Sequence, residues 1–458
     1  MVYVFIITIG GNYVEKLKFG IISLGCDKNR IDSELAIAKL SKQYELITDP
    51  REAHIILVNT CGFIESSKQE SINVILEMAE YKRKHNCKVL IVTGCLSQRY
   101  KEDLIELMPE IDIMLGVNNY DKLLESIDSF LGNRSKLSYC DYSDESMSQG
   151  ERVLTTGKYT AYLRISEGCN NLCTYCIIPK IRGKYRSRKI EDIIDEAQLL
   201  VKNGVKEVIL VAQDTTMYGI DIYKEKKLPH LIKELSRING IEWIRLLYCY
   251  PEEITDELIL EIENNPKVCK YVDMPIQHIS NTVLKRMNRR GKKEEIIDNI
   301  QKMRKTINNL CLRTSIIVGF PGETEEEFDE LVEFIKDMKF DKLGVFKYSQ
   351  EEGTAAAQLG NQIPENIKER REEKLMFLQQ QISRSINENK VENIYDVLIE
   401  KYNDGIYTGR SYEMAPEIDG EILFSSDKTY NIGELVPVKI TKALEYDLMG
   451  VVYYESGK

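Results

Sequence analysis

Three apolar, β-branched runs dominate the first third of the chain, FGIISLGC, HIILVNTC and KVLIVTGC, and a polar, helix-compatible stretch follows each one: KNRIDSELAIAKL, IESSKQESINVILEMAEY and SQRYKEDLIELM. Short continuous apolar runs predict buried strands, and their alternation with helices predicts a doubly wound α/β unit on a parallel sheet. A fourth strand is expected at residues 111–119, IDIMLGVNN. Residues 120–157 are polar and turn-rich, with SDESMSQGER among them, and read as a linker.

From residue 159 the alternation resumes with YTAYLRISEGC, EVILVAQDT, EWIRLLYCYP, KYVDMPIQH, LCLRTSIIVGFPGET and LGVFKYSQEEGT, with helical stretches between them. Six βα units predict a partial (β/α)6 barrel whose site faces the carboxyl ends of its strands. The charged segment ENIKERREEKLMFLQQQISRSINENK has an apolar stripe and reads as a packed connector helix. Beyond it, YDVLIEKY, DGEILFS, ELVPVKITKAL and LMGVVYYE alternate with period two and predict a small β-barrel. The expected domains are 17–130, 155–385 (the barrel plus connector) and 386–456.

Composition narrows the class. A length of 458 residues suits two or three domains, and 43% hydrophobic with 29% charged residues suits a soluble globular chain. No apolar run approaches the roughly 20 residues of a membrane span. The opening MVYVFIITIGGNYVEK lacks a basic region before its apolar run and a small-residue cleavage site after it, so it reads as an N-terminal extension and the expected compartment is the cytoplasm. A net charge of -11 makes nucleic acid an unfavoured partner. Eleven cysteines without a secretory signal favour reduced thiols or metal ligands over disulfides.

Cys26, Cys61 and Cys95 end the three N-terminal runs at spacings of 35 and 34 residues, which places them at the same point of successive βα units. That point is the carboxyl edge of the sheet, where such folds bind ligands, so the thiols should converge. The alternative is three small buried hydrophobes. Three thiolates on a four-iron four-sulfur cluster leave one iron open for chemistry. Cys169, Cys173 and Cys176 form CxxxCxxC in EGCNNLCTYCIIPKIRGKYRSR. Structural zinc takes four ligands, yet no histidine lies between His85 and His230 and no further cysteine completes a local set. A second cubane with a free iron fits better, able to chelate a methionine-like amino acid and cleave its sulfonium bond by one-electron transfer. Cys87, Cys140, Cys249, Cys269 and Cys311 share no spacing and read as packing or surface thiols.

The CxxxCxxC motif, with Tyr175 before its last cysteine, resembles that of the radical S-adenosylmethionine (SAM) superfamily, in which this aromatic packs near the adenine. A plain packing aromatic is the alternative. Gln213 and Asp214 end the second barrel strand and are candidate cofactor contacts, while Gly319, Pro321, Gly322 and Glu323 end the fifth in GFPGE, which resembles a SAM-contacting turn of the family. Tight strand-helix turns are the other reading. Across residues 17–456 the chain resembles the methylthiotransferases, with a TRAM-like last module. One branch of that family modifies adenosine in transfer RNA and the other an aspartate of the twelfth small-subunit ribosomal protein. SLGCDKNRIDSE, VNTCGFIESSKQESI, VAQDTTMYG, MPIQHIS and GRSYEMAPEIDG resemble the ribosomal-protein branch. Asp27 departs from it, standing where that branch usually has proline.

Residues 386–458 carry 14 acidic and 7 basic side chains, a net of -7. Such a surface repels RNA and attracts a basic ribosomal protein, with Glu413, Glu417, Asp419 and Glu421 as candidate recognition residues; an acidic face kept for solubility is the alternative. His278 and Asp273 read equally as substrate contacts or structural groups. The resemblance implies two 4Fe-4S clusters and two roles for SAM, methyl donor and source of a 5'-deoxyadenosyl radical. A radical suits the β-carbon of an ionised aspartate, which no side-chain base deprotonates near neutral pH. It also implies a low-potential electron donor such as flavodoxin or ferredoxin, and a sulfur source. A non-catalytic iron-sulfur or zinc protein that binds RNA is the rival, disfavoured by two three-ligand sites and the acidic module.

Overall fold

A computed structural model describes residues 16–142 and 149–454 of the chain. Most of the N-terminal extension, the SDESMS part of the expected linker and the end of the last run from Glu455 lie outside the described residues. The N-terminal sheet has six strands, β1 (Lys18–Ser23), β2 (Glu45–Leu46), β3 (Ile55–Thr60), β4 (Val89–Gly94), β5 (Ile113–Leu115) and β6 (Leu137–Tyr139), in the order β2-β1-β3-β4-β5-β6. Every pairing is parallel. Four helices cover it: α1 (Asp27–Leu40), α2 (Glu65–Lys84), α3 (Cys95–Leu107) and α4 (Leu123–Asn133). Ala36, Ile37 and Leu40 of α1 pack with Leu123, Ile127 and Phe130 of α4 on one face, while Ile75, Met78 and Leu96 of α2 and α3 pack on the other. All six residues of β3 and of β4 are buried, as a parallel strand covered on both faces requires.

The linker expected from residue 120 is corrected over 120–139, which forms a 3-10 turn, α4 and β6. Leu123, Ile127 and Phe130 recur at helical spacing and bury one face, a period that the polar composition of the whole window conceals.

In the second unit, β7 (Thr160–Arg164), β8 (Ser166–Glu167), α5 (Ile178–Arg182), β9 (Arg186–Ser187), α6 (Ile190–Lys202), β10 (Glu207–Val211), α7 (Leu228–Ser236), β11 (Trp243–Leu246), α8 (Asp256–Asn264), β12 (Val268–Asp273), α9 (Asn281–Arg286), α10 (Lys293–Thr306), β13 (Cys311–Val318), α11 (Glu325–Met338) and β14 (Lys342–Lys347) follow in turn. The sheet order β14-β13-β12-β11-β10-β7 is wholly parallel and makes an open half-barrel. Thr324 and Glu327 close a capping box where GFPGE hands over to α11. The short antiparallel pair β8-β9 pinches off an excursion that contains CxxxCxxC and α5.

The concave face of this half-barrel is filled by its neighbours. Ile31 and Leu35 of α1 and Ala415 of the last module pack among Tyr162, Ile209, Val211, Leu247, Tyr271 and Cys311. The connector α12 (Glu365–Glu388) leads to a closed barrel of β15 (Ile394–Asn403), β16 (Ile406–Arg410), β17 (Ile422–Ser425), β18 (Leu435–Ala443) and β19 (Leu448–Val452). Strand β16 lies outside the four runs read as strands, and its glycine weakens the local strand signal. A Cβ on Gly409 would lie 2.3 Å from the Leu398 carbonyl oxygen, so glycine here lets β15 approach. Among the described residues no helix is long and apolar enough to cross a membrane.

Candidate functional site

Cys26 lies just beyond β1 as the N-cap of α1, Cys61 follows β3 directly, and Cys95 follows β4 as the first residue of α3. Since β1 is flanked by β2 and β3, the first two loops open at the sheet's topological switch point. Gly25, at φ +87°, carries the backbone so close to the next loop that a Cβ would lie 2.9 Å from the Cys61 Cβ and 3.2 Å from its Sγ. Asn29 ties the three loops together. Its Nδ2 donates to the carbonyls of Leu24 and Thr60 at 2.9 Å each, and its Oδ1 lies 3.6 Å from the Cys95 Sγ. The set grades from exposed Cys26 through half-buried Cys61 to buried Cys95. Burial pushes the Cys95 thiol up to about 12, against the pull of the Arg182 guanidinium.

The second set lies on one loop. Gly168 at φ +79° turns the chain where a Cβ would be 2.1 Å from the Lys184 carbonyl oxygen, and the Cys169 amide donates to the Gly183 carbonyl at 3.0 Å. The Cys176 amide donates to the Cys173 carbonyl at 3.0 Å, and the Cys173 Sγ is 3.7 Å from the Tyr250 hydroxyl. Burial pushes Cys169 up to about 11 and raises Cys176 as well. The donor chemistry of both sets fits a cubane. A cubane spreads three thiolates over three irons, so its ligands need not close on one ion, and among the described residues no group of three His, Cys, Asp or Glu does so. The five remaining cysteines are buried.

The segment that follows the second set packs against the first. Cys95 is buried with Val117 and with Ile177 and Ile181, the first of which directly follows Cys176. Arg182 bonds Asp32 and Glu167 at 3.1 Å each, and Arg164 bonds the same two carboxylates at 2.7 and 2.9 Å, all four side chains at most 3% exposed. Beside this cage, Arg99 and Lys68 of the first unit pair with Glu351 of the barrel at 2.9 and 3.1 Å. Asp27, the departure from the family pattern, is buried at the same seam, its Oδ1 3.2 Å from the Tyr248 hydroxyl. Asn29, Asp32, Glu167 and Arg182 were missed in the sequence reading, although each lies within or beside a motif singled out there. The signal was charge and amide next to the candidate cysteines in both motifs.

The residues expected at SAM take varied places. Tyr175 packs on Val283, Met287, Phe320, Tyr348 and Ala356 beside its cysteines. Gln213 donates to Glu167 at 2.7 Å, and Asp214 accepts from Asn171 at 2.7 Å and Thr216 at 2.6 Å, so both brace the cysteine loop. Burial pushes Asp214 up to about 6. In GFPGE, Gly319 and Gly322 have φ +71° and +76°. A Cβ on Gly319 would meet the Lys368 stem, so close approach there serves the connector helix, whereas Gly322 is open apart from Arg286 at 3.5 Å. Glu323 accepts from the Phe320 amide at 2.9 Å and pairs with Arg371 at 3.1 Å; burial pushes it up to about 7. His278 is buried with Nδ1 accepting from the Ser280 amide at 3.0 Å, and burial lowers it to about 3. Asp273 accepts from the Tyr248 amide and Arg313.

The acidic recognition set divides. Glu413 is buried against Lys390 at 2.7 Å, and Asp419 is buried accepting from the Tyr271 hydroxyl at 2.7 Å and the Ala415 amide at 2.9 Å. Both are corrected as surface groups: their loop plugs the barrel base, and a charge count is blind to burial. Glu417 and Glu421 remain accessible, their side chains 61% and 41% exposed while pairing with Arg30 and Lys401.

Comparison with known proteins agrees with this construction. The radical SAM superfamily matches residues 163–335, the uncharacterized protein family UPF0004 residues 18–116, and the TRAM domain residues 392–452. The chain is 64% identical to the ribosomal protein uS12 methylthiotransferase RimO of Clostridium novyi, over 97% of this chain and all of the relative, and 58% identical to that of Clostridium acetobutylicum over the same shares. In fold it is similar to the radical SAM methyltransferase TsrM of Kitasatospora setae, with a TM-score of 0.55, 13% identity and 86% and 80% of the two chains covered. The identity, sustained through all three units, places the chain in the family of ribosomal protein uS12 methylthiotransferases.

Proposed function

We propose that the chain transfers a methylthio group to the β-carbon of an aspartate in ribosomal protein uS12. Cys169, Cys173 and Cys176 hold the cluster that binds SAM, and Cys26, Cys61 and Cys95 hold the second. When bound, these groups supply the radical that removes a hydrogen and the methylthio group that replaces it. The observation that carries the reading is the seam: Cys95 of one three-thiol set packs on Ile177 and Ile181, which lie just after the other.

The chain's own residues do the orienting. Asn29 holds the three N-terminal loops in register, while Gln213 and Asp214 brace the barrel loop through Glu167 and Asn171. Tyr175, in its apolar cluster, and Gly322, where a Cβ would meet only the Arg286 guanidinium, offer contacts for an adenosine. The buried cage of Arg164, Arg182, Asp32 and Glu167 fixes the first unit against the barrel loop. A low-potential donor of the flavodoxin or ferredoxin type supplies electrons, a separate source supplies sulfur, and the compartment is the cytoplasm. The relatives favour uS12 over transfer RNA. Mass spectrometry of the host's small-subunit proteins and transfer RNA, with and without this gene, tests the reading. Loss of a methylthio group from uS12 alone supports it, and loss from transfer RNA alone contradicts it.

A further inference from the structure

Arg182 ends the helix that follows CxxxCxxC, yet it turns away from those cysteines into the other thiol set. Its Nη2 donates to the Asn29 Oδ1 at 2.6 Å and lies 3.7 Å from the Cys95 Sγ, and the side chain is 2% exposed. A guanidinium is always charged, with donors in a fixed fork, so it brings permanent positive charge to whatever it touches. Arg182 could be no more than a rivet between two units. The cage argues otherwise, because Arg164 already bonds both Asp32 and Glu167. What Arg182 adds is the corner aimed at Asn29 and Cys95. Asn29 in turn holds the carbonyls of Leu24 and Thr60, so this one contact reaches all three N-terminal loops.

We propose that Arg182 is a positioning residue for the N-terminal cluster, supplied by the barrel, which raises the reduction potential of that cluster by placing a buried guanidinium against the Cys95 sulfur and, through Asn29, against its loops. Hydrogen bonds to the sulfurs and net charge set the potentials of iron-sulfur clusters, and added positive charge favours the more negative, reduced form. The inference rests on the assignment of Cys26, Cys61 and Cys95 as cluster ligands. It makes the electronic state of one cluster depend on the seating of the loop that carries the other.

The test uses the full chain with Cys169, Cys173 and Cys176 changed to Ala, so that only the N-terminal cluster loads, titrated with dithionite as one-electron reductant and followed by electron paramagnetic resonance. Arg182→Gln in this background should lower the potential by at least a tenfold change in the oxidised-to-reduced ratio, about 59 mV for a one-electron couple. Asp32→Asn, which removes a carboxylate that offsets Arg182, should move it the opposite way. A purely structural role moves neither midpoint, or moves both in one direction, and either outcome overturns the proposal. If Arg182→Gln does not load iron, the sign for Asp32→Asn decides alone: upward supports, unchanged or downward overturns. A parent protein that binds no iron overturns the cluster assignment itself, and this inference with it.

Discussion

The two thiol sets present the same donors but are built in opposite ways. Cys169, Cys173 and Cys176 share one loop closed by its own backbone bonds, whereas Cys26, Cys61 and Cys95 come from three βα units and meet only when a parallel sheet has formed. A local site survives damage elsewhere in its domain, while a convergent site depends on every loop that feeds it. The difference extends to exposure: Cys26 of the convergent set is exposed, whereas Cys169 and Cys173 of the local set are buried.

The strongest way to break the comparison is to remove one ligand from each set. Cys173→Ala should abolish formation of 5'-deoxyadenosine, while Cys61→Ala should leave it measurable and abolish methylthio transfer, each variant keeping about half the iron of a protein that loads two four-iron clusters. Glycines give the next largest effects, because both sets lean on a positive φ. Gly168→Ala should cost the barrel cluster and Gly25→Ala the N-terminal one, with roughly 1–3 kcal/mol of strain in each case, read as lower iron content and a lower melting temperature. Asn29→Ala removes donors to two buried carbonyls and should cost about 1–3 kcal/mol, again with iron lost only from the N-terminal set.

That asymmetry also decided what could be read in the sequence. CxxxCxxC was legible because its spacing is local, and the N-terminal set because three strand ends repeat. The seam was not, since Arg182 meets Asn29 across 153 residues and Arg164 meets Asp32 across 132, and periodicity has no reach at such distances. Helix α4 was lost in a window averaged over polar residues although Leu123, Ile127 and Phe130 mark its face. Glu413 and Asp419 count toward the acidic excess of the last module although both side chains are buried, and a charge count carries no information on burial.

Smaller effects follow where the last module meets the half-barrel. Burial alone would raise Glu207, but Arg410 and Arg245 hold it at about 2, below its ordinary 4.5. Its folded value is depressed, so its stabilisation is full above pH 4.5 and is lost as pH falls toward 2. Glu207→Gln should therefore flatten the acid limb of the melting-temperature profile in that window. Reversing Glu417 and Glu421 together to Lys should slow capture of basic uS12 modestly, and less so in high salt, without altering SAM cleavage. Asp419→Lys, at a buried position, should instead lower the melting temperature.

The central claim is that the two sets act in series on one protein substrate. Anaerobically reconstituted protein, given SAM, reductant and purified uS12, tests it by mass spectrometry of uS12 beside an assay of 5'-deoxyadenosine. The account predicts a methylthio group on a single aspartate with wild-type protein, and 5'-deoxyadenosine without that modification with Cys61→Ala. Modification of uS12 by the Cys61→Ala protein, or none by a wild-type protein that cleaves SAM and carries both clusters, would contradict it.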